Sequence, residues 1–165
     1  MNGTADPAIF VLLNEIAIIE HLARNQVERV LPDGLRLSHF TVLNHLVRLG
    51  DGRSLARIAR AVQVERPAMT NTIQKLEARG LVRSAPNPRD GRGKLVFLTE
   101  AGRAMRGQAV AVMATALAPV PHGLTAEEIA DLLGPLRRLR GALDRARDAT
   151  EHAQDATADE TAPQP

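Results

Sequence analysis

Residues 54–102 read SLARIAR AVQVERPAMT NTIQKLEARG LVRSAPNPRD GRGKLVFLTE AG, and the fold follows from this stretch. Ser54 is a good helix cap, and Leu55, Ile58, Ala59 and Val62 recur at the spacing of a buried helical face. After a short turn at Gln63-Val64 a second helix is expected. Pro67 sits near its first turn, where a missing N–H costs nothing, Met69, Ile73 and Leu76 form its inward row, and Gly80 ends it. Two strand-like segments, Leu81 to Ser84 and Lys94 to Leu98, flank a Pro/Gly-rich loop over 85–93, and Thr99 can cap the next helix. Helix, short turn, helix and hairpin form the order of a winged helix-turn-helix. A turn this short holds its two helices at a steep angle, so the second can enter a DNA major groove.

The side-chain chemistry fits that order. With Met69, Ile73 and Leu76 inward, Arg66, Ala68, Thr70, Asn71, Gln74 and Lys75 turn to the opposite side. Arg bridges guanine O6 and N7, Asn and Gln bridge adenine N6 and N7, and the methyl of Thr or Ala touches thymine. The competing reading is a polar, solvated helix face. At the hairpin tip Arg89, Arg92 and Lys94 cluster around Asp90, with glycines at 91 and 93. A glycine-flanked arginine on a thin loop fits a minor groove, whose narrow phosphate walls deepen the negative potential. Asp90 is a poor phosphate neighbour, so its expected job is to hold Arg92 or the loop in shape. A basic hairpin turn with no partner is the plainer alternative.

Charge distribution points the same way. The chain of 165 residues carries 19 Arg and 2 Lys, with a formal net charge of +2. Residues 48–106 hold 13 basic and 5 acidic side chains, a net of +8, whereas residues 1–47 carry −2 and 144–165 carry −4. A concentrated basic block is the electrostatic footprint of a phosphate-binding face. A surface that is merely basic and solvated would look similar. Composition limits the remaining classes. At 44% apolar residues the chain can bury a core. The absence of cysteine removes disulfides, thiolate metal sites and thiol redox sensing. No apolar run approaches 18 residues and no secretory leader pattern opens the sequence, so a soluble, cytoplasmic protein without membrane contact is expected.

Outward from the centre, residues 8–31 form a helix apolar on more than one side: Ile9, Leu12, Leu13, Ile16, Ile19, Ala23, Val27 and Val30, widened by Phe10, Val11, Ala17 and Ile18. Such a helix must be buried, and at a chain end of a small domain the economical cover is a second copy of the chain. Pro32-Asp33-Gly34 breaks it, and Ser38 is the expected cap of a helix with Phe40, Leu43, Leu46, Val47 and Leu49 on its apolar row. Beyond Thr99 one helix runs toward Leu117. Thr125 and Glu128 have capping-box spacing for another, whose row is Ile129, Leu132, Leu133, Leu136, Leu139 and Leu143, and Gly134-Pro135 is expected to kink or split it. Residues 149–165 are rich in Ala, Asp, Glu and Thr and read as a disordered acidic tail.

These residues resemble the MarR family of bacterial transcription regulators. The resemblance is most specific in Leu76-Glu77-Ala78-Arg79-Gly80-Leu81-Val82, then in Asp90-Gly91-Arg92, followed by Leu98-Thr99-Glu100-Ala101-Gly102. Leu37-Ser38-His39-Phe40-Thr41-Val42-Leu43 is similar to the opening of that family's second helix. The resemblance implies a mainly α fold with a small β-hairpin wing (α+β), in which residues 1–148 form one MarR-like domain. Its winged helix-turn-helix would occupy about 37–99, and dimerisation helices about 8–31 and 100–148. It implies a homodimer on pseudo-palindromic double-stranded DNA, acting as a repressor, with Asp90 orienting the wing and Arg92 in the minor groove. Many members carry a basic residue where this chain has Ser84, with Arg83 one place earlier.

The expected DNA-binding set is Ser54, Arg57, Arg60, Arg66 and Lys75 on phosphates, Pro67, Ala68, Thr70, Asn71 and Gln74 along the reading face, and Arg89, Asp90, Arg92 and Lys94 on the wing. The resemblance further implies a small aromatic effector in a cleft beside the dimerisation helices, for which Ile16, Glu20, His39, Leu43 and Arg48 are the positional candidates. Ile16 and Leu43 read equally well as plain core. No metal or cofactor is expected. His39 and His45 stand six apart rather than the four that share a helix face, and no H-E-x-x-H, G-x-S-x-G or phosphate-loop motif is present, which argues against an enzyme. The remaining alternative is a winged helix that binds only protein; the basic block and the intact wing argue against it.

Overall fold

The computed structural model describes residues 6–88, 90–118 and 123–160, the side chains of 90–92 and 150–160 excepted. The chain divides into two compact units, Met1–Val120 and Pro121–Pro165. In the first unit the order is α1 (Ala8–Val30), a 3-10 turn (Pro32–Gly34), α2 (Leu37–Leu49), β1 (Arg53–Ser54), α3 (Leu55–Ala61), α4 (Arg66–Ala78), β2 (Val82–Asn87), β3 (Asp90–Leu98) and α5 (Glu100–Leu117). The second unit holds α6 (Ala126–Glu160). This is the mainly α fold with a small antiparallel wing that the sequence suggested.

The core is where the helical rows converge. Val42, Leu43 and Leu46 of α2, Ile58 of α3, Met69 and Leu76 of α4 and Val96 of β3 are all buried, with Ile73, Leu81, Val82 and Leu98 beside them. Leu49 leaves that row and is 51% exposed, because it sits at the last position of α2 where the chain turns outward at Gly50. The α2 cap also differs from expectation. The helix opens at Leu37 rather than after Ser38, because the His39 ring accepts a hydrogen bond from the Arg36 backbone N–H at 3.2 Å. An imidazole nitrogen three residues into the helix thus satisfies a donor at its start.

The wing is larger than a hairpin. β1 adds a third strand, in the order β1-β3-β2, with Arg53 opposite Val96 and Ser54 opposite Leu95. β2 and β3 pair from Val82–Leu98 to Asn87–Asp90, so most of the expected 85–93 loop is strand, with an irregularity between Pro86 and Asn87. Pro86 is tolerated because β2 is an edge strand, where a missing N–H need not break a ladder.

At the base of the wing, Thr99 joins three elements. Its hydroxyl accepts from the Gly102 N–H at 3.0 Å, capping α5, and donates to the Gly80 carbonyl at 2.7 Å, beyond the end of α4. Gly80 itself has φ +67, a left-handed conformation that terminates α4. Gly102 is required for closeness: a Cβ there would stand 2.0 Å from the Leu81 carbonyl oxygen.

In the second unit Thr125 and Glu128 form the reciprocal cap. The Thr125 N–H donates to Glu128 Oε2 at 2.7 Å, and the Glu128 N–H donates to Thr125 Oγ1 at 3.2 Å. Hydrogen bonds from the Thr125 backbone N–H and then its side chain hold the Glu128 carboxyl pKa below its ordinary value. α6 then runs through Pro135 without the expected split and continues past 148 as far as Glu160. The missing proline N–H removes one intrahelical bond, and the flanking turns carry the helix across that gap.

Candidate nucleic-acid interface

α3 and α4 meet in a tight turn. The Val64 N–H donates to the Ala59 carbonyl at 2.9 Å, that of Gln63 to Arg60 at 3.1 Å, and Gln63 adopts φ 54, unusual for a residue with a Cβ. The Ser54 hydroxyl caps α3 by accepting from the Arg57 N–H at 3.3 Å. These constraints seat the start of α3 beside the start of α4 and opposite the wing.

The result is a cleft of about 690 Å³ lined by Ser54, Arg66, Pro67, Thr70, Asn87 and Lys94, among others. A second cleft of about 480 Å³ lies on the other side of the wing root, with Arg53, Arg57, Pro88 and Leu95 around the same Ser54 and Asn87. Six of the positions proposed for the reading helix, Arg66, Pro67, Ala68, Thr70, Asn71 and Gln74, are exposed, as are Lys75, Arg57, Arg60 and Lys94. Met69, Ile73 and Leu76 fix the opposite face in the core. Thr70 Oγ1 donates to the Arg66 carbonyl at 2.9 Å, a bond that fixes the rotamer of the side chain. Arg89 and the side chains of Asp90 and Arg92 lie outside the described residues.

Both histidines of α2 sit among cations. The pKa of His45 on α2 is lowered by burial and then by Arg53, Arg48 and Arg57. His39 is likewise lowered by burial and then by Arg79, Lys75 and Arg36. In both, burial is the larger cause and the neighbouring guanidinium and ammonium groups add to it.

The positions expected for an effector are dispersed. Leu43 is fully buried in the core and so does not wall a cleft in the single chain. Glu20 pairs with Arg24 on the exposed side of α1, at 2.5 Å. Ile16 is half-buried, Arg48 is exposed, His39 is buried against α2's first turn, and none of the five lines either cleft described above. Among the described residues no group of three or more His, Cys, Asp or Glu could hold a metal ion, and no helix is long and apolar enough to cross a membrane.

Several side chains that organise the interface gave no sequence signal. Arg53 wraps back to the C-terminal end of α2, donating to the Leu49 and Gly50 carbonyls. Arg83 stacks over the Phe97 ring at 4.5 Å across the β2–β3 pair. Asp51 accepts from the Leu98 N–H and from Arg103, partners 47 and 52 residues away. Only a cross-strand register could have revealed the Arg83 contact, and the Gly50-Asp51-Gly52 run reads simply as a turn.

A recognition helix with an exposed polar face, seated across a cleft from a basic wing, defines a winged helix-turn-helix DNA-binding transcription regulator. The model of the MarR family matches residues 33–93. Mutant MarR from E. coli, solved in complex with operator DNA, is 25% identical with a TM-score of 0.63, covering 83% of this chain and 99% of that one. BldR from Sulfolobus solfataricus, a transcriptional regulator, is 25% identical with a TM-score of 0.68 over 85% of this chain and 99% of its own. BpsR from Bordetella bronchiseptica, whose DNA binding is regulated by 6-hydroxynicotinic acid, is 26% identical with a TM-score of 0.58, covering 76% and 98%. The chain thus carries a segment, residues 33–93, that matches the MarR family model, and its fold is similar to that of solved MarR-family transcription regulators.

Proposed function

We propose that this protein is a homodimeric repressor that binds a pseudo-palindromic operator in double-stranded DNA. The observation that carries the reading is the exposed face of α4, Arg66 to Lys75, standing across a cleft from Lys94 of the wing. Ser54, Arg57, Arg60, Arg66 and Lys75 supply phosphate contacts, while Ala68, Asn71, Gln74 and the Thr70 methyl read base edges, with Pro67 at the helix entry. Arg92 enters the minor groove beside Arg89 and Lys94, and Asp90 orients the wing tip. Dimerisation is supported by α1, where Phe10, Ile19 and Leu22 are 57%, 62% and 61% exposed in the single chain, more apolar surface than a soluble helix leaves bare. The single MarR-like domain is proposed to end near residue 148.

Release by a small aromatic acid is part of this proposal, by analogy with BpsR. The candidate positions for its cleft remain Ile16, Glu20, His39, Leu43 and Arg48, which the single chain does not bring together, so the proposal requires the second copy to complete it.

The test is a titration of labelled duplex from upstream of the protein's own gene at two salt concentrations, against scrambled competitor. The proposal expects strong preference for the upstream duplex. Lys75→Ala should flatten the log–log salt slope by about one, and Arg92→Ala should lose affinity most at A·T-rich flanks. Weak binding without preference to any genomic fragment would overturn it.

A further inference from the structure

Asp51 sits between α2 and β1 and uses its two carboxylate oxygens on two other elements. Oδ1 accepts from the Leu98 N–H at 3.0 Å, and Oδ2 pairs with Arg103 at 2.9 Å. The Gly52 N–H donates to the Val96 carbonyl at 3.0 Å, the outermost main-chain bond between this segment and β3. The Asp51 side chain supplies the next rung, where the main chain has already turned toward α2. It therefore stands in for an absent strand residue at the joint where β3 gives way to α5. Arg103 lies one turn into α5, so a single carboxylate fixes the end of the strand to the start of the helix. As an exposed ion pair, with Arg103 49% and Asp51 29% exposed, it contributes little stability. Its effect is geometric: Leu98 pairs with Val82 on β2, so the bond sets the root of both long wing strands.

We propose that Asp51 is a positioning residue for DNA binding, locking the wing root to the first turn of α5 and so setting the wing's angle to the recognition helix. The proposal rests on the DNA-binding reading above. It also makes α5 a lever: a displacement of that helix is delivered to the wing through Asp51.

The test uses the full chain. Operator affinity is measured by fluorescence anisotropy for wild type, Asp51→Ala and Asp51→Asn, each alone and combined with Lys94→Ala on the wing or Lys75→Ala on α4. Amide exchange along β3 is followed in the free protein. Asp51→Ala should weaken binding about tenfold; in the Lys94→Ala background the further loss should shrink to less than about twofold, while with Lys75→Ala it should persist in full. Asp51→Asn keeps an oxygen for the Leu98 N–H and should fall between. Equal losses in both backgrounds would mean a general structural defect and overturn the proposal. Should wild type show no operator preference, the regulator reading is what fails. Asp51 is then judged by exchange: protection lost from Leu98 to Lys94 in Asp51→Ala supports wing positioning, and loss confined to Leu98 overturns it.

Discussion

Replacing Gly102 by alanine sets two opposed effects against each other in one helix. Gly102 lies in the first turn of α5 with ordinary backbone angles, where alanine would normally add about 0.5–1 kcal/mol by restricting the unfolded chain. The new Cβ, however, would meet the Leu81 carbonyl oxygen at 2.0 Å and Leu98 Cδ1 at 2.8 Å. A carbon and a carbonyl oxygen approach no closer than about 3.3 Å, so a shift of more than about 1 Å is needed. The Leu81 carbonyl is held by the Thr99 N–H at 3.2 Å, so moving it breaks a bond as well as repacking Leu98. Overpacking of this kind costs about 1–3 kcal/mol and the lost bond about 1 kcal/mol. The net expectation is a destabilisation of about 2–3 kcal/mol, or a fall in Tm of about 4–12 °C for a domain of this size. The assay is thermal and urea unfolding followed by circular dichroism. Gly107→Ala is the matched comparison, because a Cβ there meets nothing within 4 Å and should be neutral or stabilising. A Gly102→Ala protein as stable as wild type would refute the claimed closeness of α5 to the wing root.

Three further outcomes are expected. Gly80→Ala places a Cβ at φ +67 with open space around it, so the change should cost about 1 kcal/mol from backbone strain alone, read as a lowered urea midpoint with unchanged m-value. Thr99→Val removes the α5 cap and the bond to Gly80 and should cost about 1–2 kcal/mol by the same measurement, with Thr99→Ser retaining most of the stability. Because the folded pKa of His39 is lowered, the unfolded chain binds its proton more readily; the stability it contributes is full above about pH 6.5 and is lost as pH falls through the depressed folded value. His39→Gln should therefore reduce the drop in urea midpoint between pH 7.5 and pH 5.5, and an unchanged drop would contradict the burial of that ring.

Local physics made much of this legible in the sequence. The α4 row Met69, Ile73 and Leu76, the caps at Ser54 and Thr99 and the stop at Gly80 are all decided within a few residues, and each stands where periodicity and turn chemistry place it. β1 was invisible because two residues carry no alternation pattern, and their strand character exists only through pairing with Val96 and Leu95. The extended wing was masked by Pro86, tolerable because β2 is an edge strand, and by the glycines of β3, whose composition reads as loop. Ser38 misled because residue type favours it as a cap, whereas the imidazole of His39 reaches back to a donor three residues earlier. Of the interface, the helix face was readable from spacing, but the Asp51 and Arg53 anchors depend on contacts that only the folded chain creates.

The two-residue length of β1 has a mechanical consequence. β3 is flanked on both sides only near its root, at Leu95 and Val96, and from Lys94 outward it is paired with β2 alone. A three-stranded base grading into a two-stranded ribbon behaves as a cantilever, stiff at its clamp and compliant toward its free end, because an isolated ribbon is marginally stable in water. Such a beam keeps its anchor point constant, and in the proposed complex its end would adjust to the local width of the groove. On the DNA-binding proposal, one protein would sit in register on operators whose flanks differ in shape, with variation absorbed by bending of the beam rather than by movement of α4.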